Sequence, residues 1–273
     1  MDLTDFTAVI GDRELVFLSP HFDDVPLIWY GLLTRLRSVH PGQAIRVVNV
    51  FSRSVYQARD EVGNREVTTR RMQYATGIRL IEDLDCLDEV IGRGAYRYEL
   101  LAEDECITRR KALKPGENFE FPAGAPADFD DGDHRILARL TTWCRVLFAT
   151  RAVVFLPAAV KEHIDHVILR EAALAARRDL GPAMLASLVL GEDQPYMGLA
   201  NAAEVRGLHA TLAALPHAVV DVPVDAQGKC AVIFRHYVSQ VEESYRIGVL
   251  ARIAQLKGHE RIYLLDPTPT TRS

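Results

Sequence analysis

Along the first third of the chain, short runs of strand-forming apolar residues alternate with stretches in which apolar side chains recur at helical spacing. Residues 15–19 (Leu-Val-Phe-Leu-Ser) form the first run, and 24–37 carry the first helical pattern. Residues 44–51 repeat the strand signal, and 66–76 the helical one with arginines on its wet face. This β-α-β-α succession predicts an α/β fold built on a parallel sheet with helical crossovers. From 83 to 133 the pattern deteriorates, because acidic residues, Lys114-Pro115-Gly116 and Phe121-Pro122-Ala123-Gly124 interrupt every periodicity. Such a stretch inside a compact domain reads as an insertion, or a lid over a site, within one domain spanning 1–273. A helix is expected from 133 or 134 to 150, a buried strand at 152–156, a helix at 166–179 and a strand at 184–190. The last third predicts a strand at 219–224, helices at 229–240 and 243–256, and a terminal strand at 261–265.

Residues that bind ions gather where two of these strands end. Pro20-His21-Phe22-Asp23-Asp24 follows the first, and His163-Ile164-Asp165-His166 follows the run at 152–156. Ligands of open α/β sheets bind at the carboxyl ends of strands, so the clusters read as two halves of one metal site. Each cluster alone also suits a helix cap, since aspartate is a favoured cap residue and carboxylates suit a helix amino terminus. Independent caps, however, do not call for three histidines and three aspartates at corresponding strand ends. His21 and Asp24 lie three residues apart across a strand-to-helix turn and can converge on one ion with His166, leaving a position open for water. Asp23, beside the ion but not bound to it, is then placed to take a proton from the activated water. His163 is the candidate to stabilise the tetrahedral oxyanion or protonate the leaving group, with Asp165 holding its ring. Zinc suits these ligands, and iron, cobalt or manganese would too.

Composition narrows the alternatives. Apolar residues at 48% and charged residues at 25% are ordinary for a globular protein and argue against extensive disorder. The net charge of -5, without a basic stripe, argues against a nucleic-acid partner. Cys86, Cys106, Cys144 and Cys230 form no C-x-x-C pair, so free thiols in a reducing cytoplasm are expected rather than a disulfide framework or a thiolate metal site. The acidic amino terminus lacks a secretory pattern, and no apolar stretch is long enough to span a bilayer. A nucleotide-binding reading is weak, because no G-x-G-x-x-G follows the first strand.

With these residues in place, the chain resembles the PIG-L/LmbE-like family of zinc-dependent N-acetylglucosamine deacetylases. That family carries Pro-His-Pro-Asp-Asp-Glu after its first strand and His-Pro-Asp-His later; here the segments are Pro20-His21-Phe22-Asp23-Asp24-Val25 and His163-Ile164-Asp165-His166. Glu192-Asp193-Gln194-Pro195-Tyr196 resembles its acidic-Asp-x-Pro-Tyr segment, and Lys229 with Tyr237-Val238-Ser239-Gln240 its Lys and Tyr-x-Ser-Gln helix. The resemblance implies a Rossmann-like fold, zinc on His21, Asp24 and His166, Asp23 as general base and His163 as electrostatic or acid partner. It also implies a small glycoconjugate as substrate. Phe22, Val25 and the Trp29-Tyr30-Gly31 run depart from the family's usual residues.

Within the family, the 83–133 stretch and the aromatics Phe119, Phe121, Phe129, Trp29 and Tyr30 point to the branch acting on teicoplanin-type glycopeptide pseudoaglycones. Arg53, Asp193, Phe22 and Trp29 are the candidate substrate contacts, Arg53 and Asp193 equally as structural ion pairs. The alternatives are a deacetylase of a small thiol-cofactor precursor, such as an inositol or malate conjugate, and an inactive sugar-binding relative.

Overall fold

The computed structural model describes residues 1–60, 63–112, 114–115 and 120–265. Within them the strands are β1 (Leu15–Ser19), β2 (Ile45–Asn49), β3 (Tyr96–Leu100), β4 (Lys114–Pro115), β5 (Glu120–Phe121), β6 (Val153–Pro157), β7 (Ser187–Gly191), β8 (His217–Pro223) and β9 (His259–Leu265). The α-helices are α1 (Leu3–Ile10), α2 (Asp24–Val39), α3 (Thr69–Leu87), α4 (Asp131–Phe148), α5 (Ile164–Leu180), α6 (Ala202–Ala213), α7 (Ala226–His236) and α8 (Glu243–Gln255).

One sheet of seven strands, in the order β3-β2-β1-β6-β7-β9-β8, carries the fold. The first five in that order are parallel, and β9 runs antiparallel between β7 and β8. β4 and β5 form a separate antiparallel pair. The apolar runs are continuous because both faces of the central strands are covered. Val16 and Leu18 of β1 join Val154 and Leu156 of β6 in one core, whereas Leu15, Phe17, Val153 and Phe155 belong to the other. Phe17 stacks on Phe155 at 4.4 Å, and Trp29 of α2 meets both rings edge-on at 6.0 and 5.3 Å. Close approach of α2 explains Gly191 at the end of β7, where a β-carbon would stand 2.4 Å from Ile28 and Trp29.

The chain runs from β1 outward through β2 to β3, then returns to lay β6 against the other side of β1. Between β1 and β6 the winding direction reverses, and in sheets of this kind the crevice at that point holds ligands. Both histidine-aspartate clusters leave the sheet there. The expected α/β architecture, mostly parallel and flanked by helices, is what the chain adopts.

Several elements differ from expectation. Helix α3 continues to Leu87 because its inner stripe consists of Ala75, Arg79, Asp83, Cys86 and Leu87, burying two charges where periodicity calls for apolar residues. The stretch 83–133 thus opens with the end of a helix and contains β3, an edge strand of the main sheet, before its irregular part. Helices α1 and α6 were not foreseen, since each buries only two apolar side chains, Phe6 and Ile10 or Leu208 and Leu212. The four cysteines are buried and unbridged. Among the described residues no helix is long and apolar enough to cross a membrane.

Candidate active site

Asp23 occupies the position before α2 yet makes no capping hydrogen bond, and neither does His163 before α5. Asp165, the cap candidate of the second cluster, has its carboxylate bonded to His21, the Cys106 N–H and Arg109 instead, so the cap reading of the two clusters fails. Asp24 Oδ2 lies 3.4 Å from His21 Nδ1 and 3.3 Å from His166 Nε2, and those two nitrogens are 3.3 Å apart. Ligands of a tetrahedral ion at about 2.0–2.1 Å stand about 3.3–3.4 Å from one another, so this nearly equilateral triangle fits one small divalent cation. His163 also joins His21 and His166, within 4.8 Å, but less tightly than Asp24 does.

Each ligand-type imidazole presents one nitrogen to the triangle and the other to a buried carboxylate. His21 Nε2 meets Asp165 Oδ2 at 2.9 Å, and His166 Nδ1 meets Asp193 Oδ1 at 2.5 Å. Carboxylate-histidine pairs of this kind set the tautomer and orientation of metal-binding rings. Burial opposes charge on His21, but Asp165 and Asp24 outweigh it and lift the imidazole to about 9. His166 is likewise held well above the ordinary range: burial works against it, and Asp24 and Asp193 reverse the effect. Burial alone would raise Asp24, which His166 and His21 instead hold well below the usual carboxylate range. Two imidazoles set among the buried carboxylates of Asp24, Asp165 and Asp193 make a donor set that favours positive charge, which a divalent ion would supply.

Two groups face this triangle without belonging to it. Asp23, 7% exposed, has Oδ1 at 3.9 Å from Arg79 Nη2. Burial and the neighbouring Asp24 push it up to about 6, against the pull of Arg79 and His21, near neutrality where a general base works best. His163 is pushed well below its ordinary range by burial and by the charges of His21 and His166, so it is neutral. Its ring stacks on Tyr196 at 6.2 Å, and its buried Nδ1 has no hydrogen-bond partner among the described residues. An orphaned polar atom of this kind is costly unless a group entering the site satisfies it.

Asp165 does not hold the His163 ring as expected. Its Oδ2 accepts from His21 Nε2 and from the Cys106 backbone N–H, and its Oδ1 from Arg109 Nη2 at 2.8 Å. Residues two apart at the start of a helix face different directions, so Asp165 turns toward β1 and away from His163. Burial alone would raise its carboxyl, and Arg109 and His21 keep it well below the usual range.

The expected substrate contacts also change. Arg53 lies half-exposed in an ion pair with Asp104 at 3.1 Å, because the chain beyond β2 pairs with the segment around Asp104 and carries the side chain away from the site. Asp193 is fully buried, its Oδ2 accepting from Val160 N–H at 3.0 Å, and serves His166 rather than a sugar. Phe22 is sealed beneath the Arg79 guanidinium, while Trp29 and Phe129 are core residues. Tyr30 packs against the core formed by α2 and its neighbours and does not line the cavity. Phe119 and the side chain of Phe121 lie outside the described residues. Asp193→Asn is expected to weaken divalent-metal affinity by about 10- to 100-fold, as loss of such a supporting carboxylate usually does. Titration of chelator-stripped protein with zinc checks this, and unchanged affinity would count against the triangle as a metal site.

Two corners of the triangle, His21 and Asp24, line a cavity of about 870 Å³ with Asp23 and His163, and sequence reasoning largely missed the rest of its wall. Arg79 donates to Glu105 Oε2 at 2.8 Å and Gln240 Oε1 at 2.7 Å and lies over the Tyr56 ring. Glu105 in turn accepts from Val55 and Tyr56 N–H, fixing the loop after β2. Lys229, also buried, bonds Glu260 at 2.8 Å and Gln194 at 3.0 Å, which anchors Gln194 in the cavity wall. The Arg79–Asp83 pair on the buried stripe of α3 was the one local signal for this network. Arg109 and Asp165, 56 residues apart, offered none.

No protein-family model and no curated protein matches the chain. Solved structures do. A teicoplanin deacetylase in a zinc-inhibited form superposes with a TM-score of 0.63 at 20% identity, over 95% of this chain and 100% of that one. The A40926 pseudoaglycone deacetylase gives 0.56 at 17% identity, over 95% and 99%. An N,N'-diacetylchitobiose deacetylase from Pyrococcus horikoshii gives 0.55 at 12% identity, over 96% and 88%. At these identities the likeness is one of fold, and it agrees with the resemblance carried by the motifs. The chain has the fold of the solved glycopeptide and chitobiose deacetylases.

Proposed function

We propose that this chain is a metal-dependent hydrolase that removes the acetyl group from an N-acetylglucosaminyl conjugate, with a glycopeptide-antibiotic pseudoaglycone as the favoured substrate. The observation that carries the reading is the 3.3–3.4 Å triangle of His21, Asp24 and His166 beside an aspartate that caps nothing. His21, Asp24 and His166 would hold the ion, zinc being the first choice for two nitrogens and one oxygen. When bound, it supplies Lewis acidity that polarises the amide carbonyl and acidifies water.

The chain's own residues do the rest. Asp23, poised near neutrality, accepts a proton from the attacking water at its carboxylate. His163, neutral and with an unsatisfied nitrogen, hydrogen-bonds the carbonyl oxygen as negative charge develops on it. The proton that Asp23 has taken passes to the sugar nitrogen, the C–N bond breaks, and acetate and a free amine leave. Arg109, through Asp165, and Asp193 hold the two imidazoles in the required tautomers throughout. A cavity of about 870 Å³ has room for the sugar and the adjoining part of its acceptor.

Chelator-treated protein is expected to lose acetate release from an N-acetylglucosaminyl glycopeptide and to regain it on adding back a divalent metal. Zinc, iron, cobalt and manganese are compared in the same assay. Equal turnover with and without chelator, at verified metal removal, would refute the mechanism. Faster release from inositol or malate conjugates would move the substrate to the small-precursor alternative.

A further inference from the structure

Beside the metal-binding triangle the cavity is also lined by arginines with no acidic partner among the described residues. Arg59, Arg65 and Arg110 all line it and all are exposed. Arg59 and Arg65 come from the connection between β2 and α3, and Arg110 from the stretch after β3. None of the three guanidinium groups has an acidic partner among the described residues. Their neighbours differ. Arg53 pairs with Asp104, Arg71 with Asp60, Arg79 with Glu105 and Arg109 with Asp165, and Lys111 is held by Asp130 and Asp133. Glu242, which shares the cavity wall, accepts from the backbone N–H of Arg59 at 3.2 Å instead of from its side chain.

Backbone geometry adds a second observation. Arg59 and Arg110 sit at φ of 63° and 60°, in the left-handed region that residues other than glycine, asparagine and aspartate seldom adopt. Such conformations persist where surrounding structure enforces them, and they gather at ligand-binding sites. In a chain with net charge -5, three exposed arginines that line one cavity and have no acidic partner among the described residues offer an anion a place to bind.

We infer that Arg59, Arg65 and Arg110 form a receptor for an oxyanion, a carboxylate or a phosphate, on the acceptor that bears the N-acetylglucosamine. Guanidinium groups bind such anions through paired, charge-assisted hydrogen bonds. With the acetamide at the ends of β1 and β6 and the anion at the mouth, substrate is held at two points and enters in one orientation. Neutral acceptors lose the second hold. This inference deepens the deacetylase reading and rests on it for the identity of the sugar.

The test uses three N-acetylglucosaminides of matched size whose aglycones end in a carboxylate, a phosphate ester or a neutral amide. Binding is measured calorimetrically to the Asp23→Asn protein, which keeps substrate intact, and acetate release to the parent protein. At least one anionic glycoside is expected to bind about tenfold or more tightly than the neutral one, an advantage that shrinks with added salt. In the Arg59→Gln/Arg65→Gln/Arg110→Gln background the three ligands should converge in affinity. Which anion gains identifies the acceptor chemistry. Equal binding of all three to the unsubstituted arginine set, or a preference that survives the triple substitution, overturns the inference. A preserved anion preference with no acetate released from any glycoside refutes the deacetylase reading and leaves the receptor standing.

Discussion

Asp23→Asn is expected to lower acetate release by about 10²- to 10⁴-fold, the usual contribution of a positioned proton acceptor, while the purified protein keeps its metal. The amide has nearly the carboxylate's shape, so the turn before α2 needs no change. Asp23 caps no helix, and Arg79, 3.9 Å from it, stays bonded to Glu105, Ser54 and Gln240 when the charge is removed. What disappears is a basic oxygen beside the ligand triangle. Elemental analysis and an acetate assay on the same preparation separate the two effects. Loss of metal in this variant would move Asp23 into the ligand set, and turnover within a few-fold of the parent would remove it from the chemistry.

His166→Ala should lose both metal and turnover and should also destabilise the chain, which distinguishes it from Asp23→Asn. His166 is fully buried and lies between Asp24 and Asp193. Taking it away removes one corner of the triangle and strands the buried Asp193 carboxylate, left with the Val160 N–H at 3.0 Å. Breaking a buried pair by removing one member typically costs about 3–5 kcal/mol. Denaturant unfolding of metal-free protein measures that cost without the contribution of the ion. Adding Asp193→Asn to His166→Ala should recover part of the stability, because it removes the stranded charge, yet should recover no metal. A His166→Ala protein that unfolds like the parent and still binds one ion would contradict both roles.

The central strands β1, β6 and β7 were legible because each is a nearly unbroken apolar run, as burial on both faces of a parallel sheet requires. Leu15–Ser19 is found as read, and the runs at 152–156 and 261–265 lie within two residues of β6 and β9. Helix α3 was cut short in the reading for the opposite reason: its hidden face carries Arg79 and Asp83, charges that only distant partners make tolerable. The two histidine-aspartate clusters were legible because their composition exceeds what helix caps need. Their convergence was not contained in either cluster, and it follows from β6 returning to lie beside β1.

The contacts misread in sequence share a cause. A polar or aromatic side chain near a site can face ligand, core or another charge, and the local sequence is the same in each case. Asp193 turned inward to His166, Arg53 outward to Asp104, Trp29 into the space between Phe17 and Phe155, and Asp165 toward His21.

By itself, then, the sequence determined the α/β architecture, the strand ends that matter, and the residues His21, Asp23, Asp24, His163 and His166 as a chemical set, since these depend on hydrophobic period and residue type over a few positions. The tertiary structure decided which imidazole each carboxylate serves, how Arg79, Glu105 and Arg109 support the site, and which exposed arginines line the cavity. Those outcomes depend on which charged groups, many of them tens of residues apart, come within hydrogen-bonding distance when the sheet assembles, and no local pattern encodes that distance.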